Sequence, residues 1–415
     1  MRGTVRLPGD KSLAHRALIL AVLAEGATVI TDLPKSRDVS STLSCLKALG
    51  VRISARGRMT RVQGRGASAL KSPPHTLDAG NSATTARLLL GLLAGSRISA
   101  RISGDASLRR RPMARVAGPL KRMGARIRLA AGGRLPARID GADLHGRDIA
   151  SPMPSAQVKS AVLIAGLLAR GRTRMREPAL SRDHTERMLG RFGIKLLRRG
   201  LCVEVRGPAR LKPSRIALPG DASSAAFWVV AATLNPGSRL RLPGMIANPT
   251  RTGFLRVLKR MGARIGISAR TGAGEPRCDL EVRSARLRAT EIKASEIPSL
   301  IDEVPILALA ATQAAGCTRF RGLNELRHKE SDRLCGIAGL LRRFGADIQV
   351  RGHDLLVHGP TPLRAARIPA QNDHRLAMTA LVAGLTAPGR TRLADTADIA
   401  VSYPGFCAQL RQSVS

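Results

Sequence analysis

The chain has 415 residues and carries 69 Lys and Arg against 29 Asp and Glu, a formal net charge of +40. This length exceeds what one ordinary hydrophobic core supports and predicts two domains of about 200 residues each. The charge favours either a nucleic acid or anionic small molecules as partners. One Trp, one Tyr and six Phe offer little surface for base stacking, and arginine is spread along the whole chain. We therefore expect small-molecule substrates and no nucleic-acid partner.

Cysteine and histidine spacing indicates neither a disulfide framework nor a metal site. The six cysteines lie far apart without a C-x-x-C pair, and the eight histidines lack the H-E-x-x-H spacing of a zinc enzyme. The first residues contain no apolar segment of a secretory signal, and no run approaches the roughly 18 apolar residues of a membrane span. We therefore expect a cytoplasmic protein with reduced thiols, no membrane partner and no metal.

The first predicted element is the helix in GDKSLAHRALILAVLAEG, which closes on a glycine. An opening rich in Gly, Ser and Asn, an Ala/Leu helix and a closing glycine recur in this order along the chain. The closing glycines are spaced by about 65 to 80 residues, which indicates a structural period. They are Gly26, Gly95, Gly171, Gly237, Gly316 and Gly389.

A second phrase alternates with the first and consists of a helix end, a glycine and an alternating run. It begins as LKALGVRI and returns as LKRMGARIRL, and its glycine suits a left-handed helix C-cap ahead of a β-strand. Each unit therefore reads as helix, strand, helix, strand and turn. Three units in each half predict two similar domains. The glycines of this phrase are Gly50, Gly124, Gly193, Gly262 and Gly345.

The phrase LPGDKSLAH, residues 7–15, returns as LPGDASSAA, residues 218–226. The two copies agree through Leu-Pro-Gly-Asp, but Lys11 of the first copy is replaced by Ala222 in the second. The shared Gly-Asp is expected to be a turn and a helix start that both halves need. The lysine is expected to serve chemistry that needs only one copy.

The second copy opens the fourth unit and therefore marks the junction between the halves. We predict one domain over residues 10–219 and a second over residues 1–9 and 220–415. The chain would cross between them near 9–10 and 219–221, and both crossovers are predicted hinges. One long α/β solenoid is the alternative, which the similarity of the fourth unit to the first disfavours.

Several predicted helices open with small polar residues, where free backbone N–H groups and the helix dipole attract anions. For any single helix, ordinary N-capping explains such residues as well. Their repetition in register, with added Lys and Arg, favours a functional site. The openings are Lys11-Ser12, Asn81-Ser82 and Ser155-Ala156-Gln157.

Two carboxylate motifs are candidates for acid–base chemistry. IPSLIDEVPILALAA places Asp302 and Glu303 at an apolar helix start, where a carboxylate is either an N-cap or a buried base. In LRHKESDRL, Lys329, Glu330 and Arg333 share a face if they are helical, although a weak surface ion pair explains this spacing too. Two separate carboxylates with several cations suit acid–base chemistry on a polyanionic substrate.

Two further motifs contribute arginines. NDHRLAM places Asp373, His374 and Arg375 before another apolar run, and SLRRRPM places Arg111 in a predicted basic loop before Pro112. Neither motif decides a function by itself.

Taken together, the motifs resemble those of the 5-enolpyruvylshikimate-3-phosphate synthase family over essentially the whole chain. The matching stretches are LPGDKSLAHRALIL, DAGNSATTARLLLG, GDASLRRRPM, SAQVKSA, SRDHTERML, PGDASSAAFW, IDEVPILALAA, KESDRL, NDHRLAM and SYPGF. The resemblance implies an α/β fold of two similar domains, each of three βαβαββ units about a pseudo-threefold axis (an inside-out α/β barrel).

The same resemblance implies a reaction. The enolpyruvyl group of phosphoenolpyruvate is transferred to the 5-hydroxyl of shikimate 3-phosphate with release of phosphate, a step of chorismate and aromatic amino acid biosynthesis. It implies closure of the domains over both substrates and no cofactor. We expect the chain to be a monomer.

Site residues follow from the resemblance position by position. Asp302 is expected to accept the 5-hydroxyl proton, Glu330 to act at the methylene carbon, and Lys11 to contact both substrates. Forked guanidinium groups suit phosphate and carboxylate oxygens and stay charged in a closed site. The positions expected to hold shikimate 3-phosphate are Lys11, Ser12, Arg16, Ser155, Ala156, Gln157, Arg182, Asp302 and Lys329. Those expected to hold phosphoenolpyruvate are Lys11, Ala83, Arg111, Gln157, Arg333 and Arg375.

Besides Ala83, which stands where many members have glycine, the chain departs from the family pattern at two places. Val401-Ser402-Tyr403-Pro404 stands where some members carry a lysine, so this chain either manages without that contact or supplies it from elsewhere. His328 replaces the usual valine before Lys329, a substitution that the sequence does not explain.

Two other functions stay open as alternatives. UDP-N-acetylglucosamine enolpyruvyl transferases resemble this family in architecture, but they carry Lys-Asn at the first helix and a reactive cysteine in a loop before Arg-Pro. Here the pair is Lys11-Ser12 and the loop reads Gly104-Asp105-Ala106-Ser107, without a cysteine. A basic nucleic-acid-binding repeat protein is the alternative from another class. Tight, salt-sensitive DNA binding without turnover would favour it.

Ala83 predicts weak inhibition by glyphosate. Many family members have glycine at this position, and an added methyl group beside phosphoenolpyruvate should crowd a bulkier analogue. The measurement is the inhibition of enzymatic phosphate release by glyphosate. Inhibition as strong as that of glycine-bearing members would contradict the prediction.

Overall fold

The computed structural model describes residues 1–272 and 274–414. The chain forms two compact units. The N-terminal unit is Gly9–Leu218, and the C-terminal unit consists of Met1–Pro8 and the chain from Pro219 onward. Within the described ranges, no helix is long and apolar enough to cross a membrane. The hinge role of the two crossovers stays a prediction.

The first strand of the chain, β1 (Arg2–Thr4), belongs to the C-terminal unit. The N-terminal unit then follows with three repeats. The first contains α1 (Lys11–Leu23), β2 (Glu25–Thr31), α2 (Arg37–Ala48), β3 (Arg52–Arg56) and β4 (Met59–Arg65). The second contains β5 (Leu77–Asp78), α3 (Ala83–Ala94), β6 (Ser99–Ser103), α4 (Ala106–Arg110), α5 (Ala114–Arg122), β7 (Arg126–Ala130) and β8 (Arg134–Asp140). The third contains β9 (Asp148–Ala150), α6 (Ala156–Leu168), β10 (Gly171–Arg176), α7 (His184–Arg191), β11 (Leu197–Arg199) and β12 (Cys202–Gly207), and β13 (Arg215–Ala217) follows it.

Each repeat of the N-terminal unit builds one four-stranded sheet. The strand orders are β13-β2-β4-β3, β5-β6-β8-β7 and β11-β12-β10-β9. In the second and third sheets the two parallel strands are joined across a long helix, α3 or α6, whereas in the first sheet β13 runs parallel to β2. The closing hairpin of each sheet is antiparallel. Strand β13 completes the first sheet, so the last strand of this unit pairs with its first repeat.

The C-terminal unit repeats this plan. Its elements are α8 (Ala222–Leu234), β14 (Arg239–Ile246), α9 (Gly253–Arg260), β15 (Arg264–Arg270), β16 (Arg277–Arg283), β17 (Leu287–Arg288), β18 (Glu291–Ile292), α10 (Val304–Thr312), β19 (Ala314–Phe320), α11 (Arg333–Arg343), β20 (Asp347–Arg351), β21 (Asp354–Gly359), β22 (Arg367–Ile368), α12 (His374–Thr386), β23 (Arg392–Leu393) and α13 (Phe406–Val414). Short 3₁₀ turns in the chain are Ala67–Ala69, Ile297–Ser299, Ile301–Glu303, Asn324–His328 and Ala397–Val401.

The sixth repeat differs from the expected complete βαβαββ unit. Two sheets of the C-terminal unit have the orders β1-β14-β16-β15 and β17-β19-β21-β20, but the third pairs only β22 with β23. Over the described residues this repeat continues from β23 into a 3₁₀ turn and α13 rather than into a hairpin. The sequence pattern of a helix end, a glycine and an alternating run precedes the hairpin in each of the first five repeats. The sixth repeat lacks this pattern, which explains why it forms no hairpin in the described part of the chain.

The long helices of the repeats are apolar around their whole circumference. Every residue of α1 from Leu13 to Leu23 is buried, as is every residue of α8 from Ala222 to Thr233. A helix of this kind is stable only when it is covered on all sides. The strands beside it alternate, and in β4 Thr60 and Val62 are buried whereas Arg61 is exposed. Each buried large apolar side chain contributes about 1.5 to 3 kcal/mol to this packing.

Glycines on three hairpin strands allow close approach of helix ends. A Cβ at Gly64 would lie 2.0 Å from the carbonyl oxygen of Ala21 and 2.2 Å from that of Ala24. Gly207 and Gly359 face helix-end carbonyls in the same way. Each of these glycines pairs across the sheet with the glycine that closes the preceding apolar helix. The closing glycine found in the sequence therefore has a partner on the opposite strand.

We predict that Gly64→Ala lowers the free energy of unfolding by about 3 kcal/mol, because the added methyl group collides with backbone atoms that cannot move away. Gly57→Ala is the matched control. Its φ of 58° is left-handed but no atom lies within 4 Å of the new methyl group, so a cost of about 1 kcal/mol is expected. Urea unfolding measures both variants, and equal losses would contradict the close approach.

Candidate active site

Lys11 is the first residue of α1 and is held by a carboxylate. Asp10 caps the helix, with its Oδ1 accepting from the backbone N–H of Leu13 at 2.9 Å. The ammonium of Lys11 lies 2.6 Å from Oδ2 of Asp38, which is buried on α2. The side chain of Lys11 is 18% exposed, so a cation is presented at the start of an otherwise apolar helix.

The second copy of the opening phrase is arranged differently. Asp221 caps α8 through the N–H of Ser224, as Asp10 caps α1, but Ala222 is fully buried. Ser223 donates to Glu303 and accepts from Arg251, whose guanidinium also donates to Glu303 at 2.8 Å. The start of α8 is thus occupied by an internal ion pair, whereas the start of α1 carries a partly exposed lysine.

Arg16 is buried and donates to several acceptors of the N-terminal unit. Its Nε donates to Thr185 Oγ1 at 2.9 Å, and its Nη2 donates to Ser160 Oγ at 2.9 Å. Its Nη1 donates to the carbonyl of Ser12 at 2.8 Å. Arg16 therefore connects the first turn of α1 with α6 and α7.

Ser155 and Ala156 begin α6 beside a buried ion-pair network. Ser155 is the N-cap, and its own N–H donates to Glu177 at 2.9 Å. The ammonium of Lys159, which is 1% exposed, lies 2.8 Å from Glu177 and 2.7 Å from Glu186. This network anchors the start of α6 to the loop that carries Arg182, which is partly buried and follows Ser181.

Gln157, Ala83 and Arg111 are brought together by Arg87. Arg87 donates through Nη1 to the side-chain oxygen of Gln157, and through Nη2 to the carbonyl of Pro112 at 3.0 Å. Gln157 in turn donates to Thr84 at 2.9 Å, next to Ala83, the first residue of α3. Ala83 is 8% exposed.

Arg111 lies just beyond α4 in the connection before Pro112, as predicted, whereas Ser107 to Arg110 belong to the short helix α4. Its guanidinium is 6% exposed and donates to Asn81 Oδ1 at 2.7 Å and to Ser107 Oγ at 3.2 Å. These contacts fix the arginine against the loop that opens α3.

Asp302 is surrounded by cations of the C-terminal unit. Its Oδ1 lies 3.3 Å from the ammonium of Lys329 and 3.6 Å from Nη1 of Arg333, and its backbone carbonyl accepts from Arg375 at 2.9 Å. Asp302 belongs to a 3₁₀ turn, and its side chain does not act as the N-cap that the sequence left open. The carboxylate is 14% exposed and so remains accessible.

Glu330 pairs with Arg333, and Arg333 pairs with Asp373. Arg333 has a fully buried side chain, and its Nε donates to Asp373 at 2.8 Å while its Nη2 donates to Glu330. Burial alone would lower the pKa of Arg333, but the charges of Asp373 and Glu330 raise it above its ordinary value. This arginine is therefore a permanent cation with one guanidinium edge occupied by Asp373.

Lys329, Glu330 and Arg333 do not lie on one helix, so the condition for a shared helical face is not met. Arg333 begins α11, whereas Lys329 has an extended backbone and Glu330 lies in the connecting segment. Lys329 and Arg333 both reach Asp302, and Glu330 reaches Arg333, across the segment between the 3₁₀ turn at 324–328 and α11. A loop, not a helix face, brings them together.

Tyr403 belongs to the segment, residues 401–404, that stands where some family members carry a lysine. Its hydroxyl accepts from Trp228 Nε1 at 3.2 Å and donates to Gln409, and its ring lies against Phe406. Burial raises the pKa of Tyr403 above its ordinary value. Tyr403 therefore belongs to the aromatic core of this unit. His328 ends a 3₁₀ turn beside Lys329, and nothing in the structure explains its choice.

The motifs did not point to several charged residues that position the candidate residues within each unit. Arg87 and Lys159 are the lone charges in the otherwise apolar stretches of α3 and α6. A buried charge is almost always paired, so this signal was present in the sequence. Asp38 and Arg251 lie outside such stretches, and no comparable pattern marks them. Among residues 1–272 and 274–414, no cluster of three or more His, Cys, Asp or Glu could hold a metal ion.

Comparison with known proteins gives a consistent picture. A family model described as EPSP synthase (3-phosphoshikimate 1-carboxyvinyltransferase) matches residues 1–410. The chain is 50% identical over 414 residues to a Gloeobacter violaceus protein named 3-phosphoshikimate 1-carboxyvinyltransferase, covering 99% of this chain and 96% of that protein. A Geobacillus kaustophilus protein of the same name is 47% identical over 415 residues, with 99% and 97% covered.

Solved structures show the same fold. An EPSP synthase from Acinetobacter baumannii aligns with a TM-score of 0.88 at 37% identity, covering 99% of this chain and 95% of that chain. The enolpyruvyl transferase NikO from Streptomyces tendae aligns with a TM-score of 0.78 at 22% identity, covering 99% and 94%. At that identity the second likeness concerns the fold alone.

His15 is a buried base that should make stability depend on pH. It follows Lys11 by one turn of α1, and its Nδ1 lies 2.7 Å from Thr42 Oγ1, which also contacts Thr85. Burial lowers the pKa of His15 well below 6.5, and the charges of Lys11 and Arg16 lower it further. The imidazole is therefore neutral in the folded protein.

We predict that the free energy of unfolding decreases as the pH falls below about 6.5, because the unfolded chain then binds a proton that folded His15 excludes. The slope from this residue is at most about 1.4 kcal/mol per pH unit. His15→Gln should flatten the dependence measured by urea unfolding. His75→Gln, at an exposed histidine, is the control and should not. An unchanged slope in His15→Gln would contradict the assignment.

Proposed function

Because the chain belongs to the EPSP synthase (3-phosphoshikimate 1-carboxyvinyltransferase) family, we propose that it joins the enolpyruvyl group of phosphoenolpyruvate to the 5-hydroxyl of shikimate 3-phosphate. The observation that carries the proposal is the accessible carboxylate of Asp302 among Lys329, Arg333 and Arg375. Such a group offers a base and fixed cations for a reaction between two polyanions. Phosphate is the second product.

Asp302 is assigned the role of the base. Its carboxylate is accessible beside Lys329, Arg333 and Arg375, which are the cations proposed to hold the anionic groups of the substrates. Asp302 then accepts the proton of the 5-hydroxyl as that oxygen forms its bond to C2 of phosphoenolpyruvate.

Glu330 is assigned the proton transfers at the methylene carbon. It gives a proton to C3 of phosphoenolpyruvate as the C–O bond forms at C2, which yields a tetrahedral adduct. Loss of a proton from the same carbon then expels phosphate and restores the double bond. The side chain is 19% exposed and its partner Arg333 is held by Asp373, so the carboxylate has a defined orientation.

The remaining residues are assigned to substrate binding. Lys11 is proposed to contact both substrates, and Ala83 to border phosphoenolpyruvate. The residues proposed to hold shikimate 3-phosphate are Lys11, Ser12, Arg16, Ser155, Ala156, Gln157, Arg182, Asp302 and Lys329. The residues proposed to hold phosphoenolpyruvate are Lys11, Arg111, Gln157, Arg333 and Arg375. Planar guanidinium groups bind phosphate and carboxylate oxygens in pairs, which favours arginine for these roles.

The experiment is phosphate release from the purified chain mixed with shikimate 3-phosphate and phosphoenolpyruvate. Release that requires both substrates supports the proposal. UDP-N-acetylglucosamine in place of shikimate 3-phosphate tests the activity of the related transferase. Phosphate release with UDP-N-acetylglucosamine and phosphoenolpyruvate, but not with shikimate 3-phosphate and phosphoenolpyruvate, would overturn the assignment. The compartment and the monomeric state stay predictions, and sedimentation of the purified chain tests the second.

Asp302→Asn and Glu330→Gln should each lower kcat by about 100-fold or more, since positioned acids and bases contribute about 10² to 10⁴. Binding of shikimate 3-phosphate, measured by calorimetry, should change much less. Lys11→Ala should leave the fold intact and abolish activity. Asp347→Asn, at an exposed carboxylate on β20, is the control and should be fully active. Normal turnover in any of the first three variants would refute the role of that residue.

A further inference from the structure

The outward face of the β5-β6-β8-β7 sheet carries five exposed arginines and two carboxylates, Asp78 on β5 and Asp140 on β8. The inward positions of the same strands hold apolar side chains such as Ile102, Ile127 and Ile139. We call the outward set the arginine face. It consists of Arg101, Arg126, Arg128, Arg134 and Arg138.

Strand register aligns three of these arginines in a row. Arg101 on β6 stands opposite Arg138 on β8, and Arg138 stands opposite Arg128 on β7. Adjacent strands are about 4.8 Å apart, and like charges directly opposite each other destabilise a sheet. The packing of the unit gains nothing from three outward cations in one row. Their arrangement suits an anion that is itself regular and dense in charge.

The two carboxylates of this face neutralise only part of its charge. Asp78 accepts from the backbone N–H of Gly80 at 2.8 Å. Asp140 lies 3.3 Å from Arg138 Nε and 4.0 Å from Arg128 Nη2, and it accepts from Ser99 at 2.8 Å. Within the described part of the chain, no carboxylate lies at ion-pair distance from Arg101, Arg126 or Arg134. The face therefore keeps an excess of positive charge at neutral pH.

We propose that the arginine face binds the phosphate backbone of double-stranded nucleic acid, in addition to the enzymatic activity of the chain. A duplex carries one negative charge per about 1.7 Å of its axis, and cations that contact it release condensed counterions. Contacts to phosphates alone carry no sequence information. The binding is thus independent of sequence and sensitive to salt.

A duplex fits this face better than other polyanions do. Single strands are held largely by bases that stack on aromatic side chains, and β6, β7 and β8 contain no aromatic residue. Membrane surfaces are bound by helices that insert apolar side chains, whereas this face is a sheet of arginines with Ser99 and Pro136 between them. Phosphate contacts to a duplex require neither feature.

The sequence analysis expected no nucleic-acid partner because aromatic residues are scarce and arginine is dispersed. Arginine is dispersed along the sequence but not in the fold, because three strands bring arginines together on one surface. A related set occurs on the β13-β2-β4-β3 sheet of the same unit, where Arg52, Arg56, Arg61, Arg65 and Arg215 are exposed. Binding by that second surface would leave residual affinity when the arginine face is altered.

The test is fluorescence anisotropy of a labelled DNA duplex of mixed sequence, titrated with the chain at salt concentrations from about 50 to 200 mM. The variant is Arg101→Gln with Arg126→Gln and Arg134→Gln, three arginines whose removal leaves Asp140 paired. Each lost phosphate contact should reduce the slope of log K against log salt by about 0.9. We therefore expect a slope about 3 units shallower and weaker binding at every salt concentration.

The control variant removes the same charge elsewhere. Arg239→Gln, Arg260→Gln and Arg319→Gln replace arginines that already pair with carboxylates of the C-terminal unit. This control should change the slope by less than one unit. Equal weakening of both triple variants would show that only net charge matters and would overturn the proposal. Melting temperature and phosphate release should be unchanged in the test variant, and the Arg→Lys triple at its positions should restore binding.

Three further outcomes would also overturn the proposal. They are the absence of salt-sensitive binding to the duplex, binding to a single strand of the same length that is as tight, and tighter binding to vesicles containing phosphatidylserine. None of them depends on the transferase activity, so the two proposals fail separately.

Discussion

The rest of the structure depends on the burial of helices that are apolar on every side. In α1, α6 and α8 no polar face is available for solvent, so each helix must be covered by other helices and by a sheet. Most of the polar side chains and the free backbone N–H groups of these helices therefore lie near the helix ends. This is why Lys11 and Ser155 stand at helix starts, and why the candidate site is built from first turns and the loops that lead into them.

Charges that do enter the interior survive only as pairs. Lys159 lies between two glutamates, Arg333 lies against Asp373, and Arg251 lies against Glu303. Removal of one partner of such a pair typically costs about 3 to 5 kcal/mol, because the other charge is left buried. Each pair joins two segments that the sequence separates widely. The pairs thus fix loops that carry residues of the proposed mechanism, including the turn that carries Asp302.

The burial of the apolar helices also determines where the excess arginines lie. One face of each sheet packs against the apolar helices, so alternate strand residues face outward. Most of the strand arginines lie at these outward positions. On the β5-β6-β8-β7 sheet this alternation produces a dense positive surface from residues that look scattered along the chain. A high net charge in the composition becomes a specific surface only through strand register.

The sequence by itself determined the repeats, the fold class, the family and the identity of the residues expected to act, because glycines, helix openings and motifs are local patterns. It also marked Arg87 and Lys159 as buried charges, although the motifs drew no attention to them. Only the tertiary structure decided the shortened sixth repeat, the partners of those charges, and the contacts that Lys329 and Glu330 make from a loop with Asp302 and with Arg333 at the start of α11. Ion pairs between distant segments and strand register depend on how separate elements pack, and no local pattern encodes that packing.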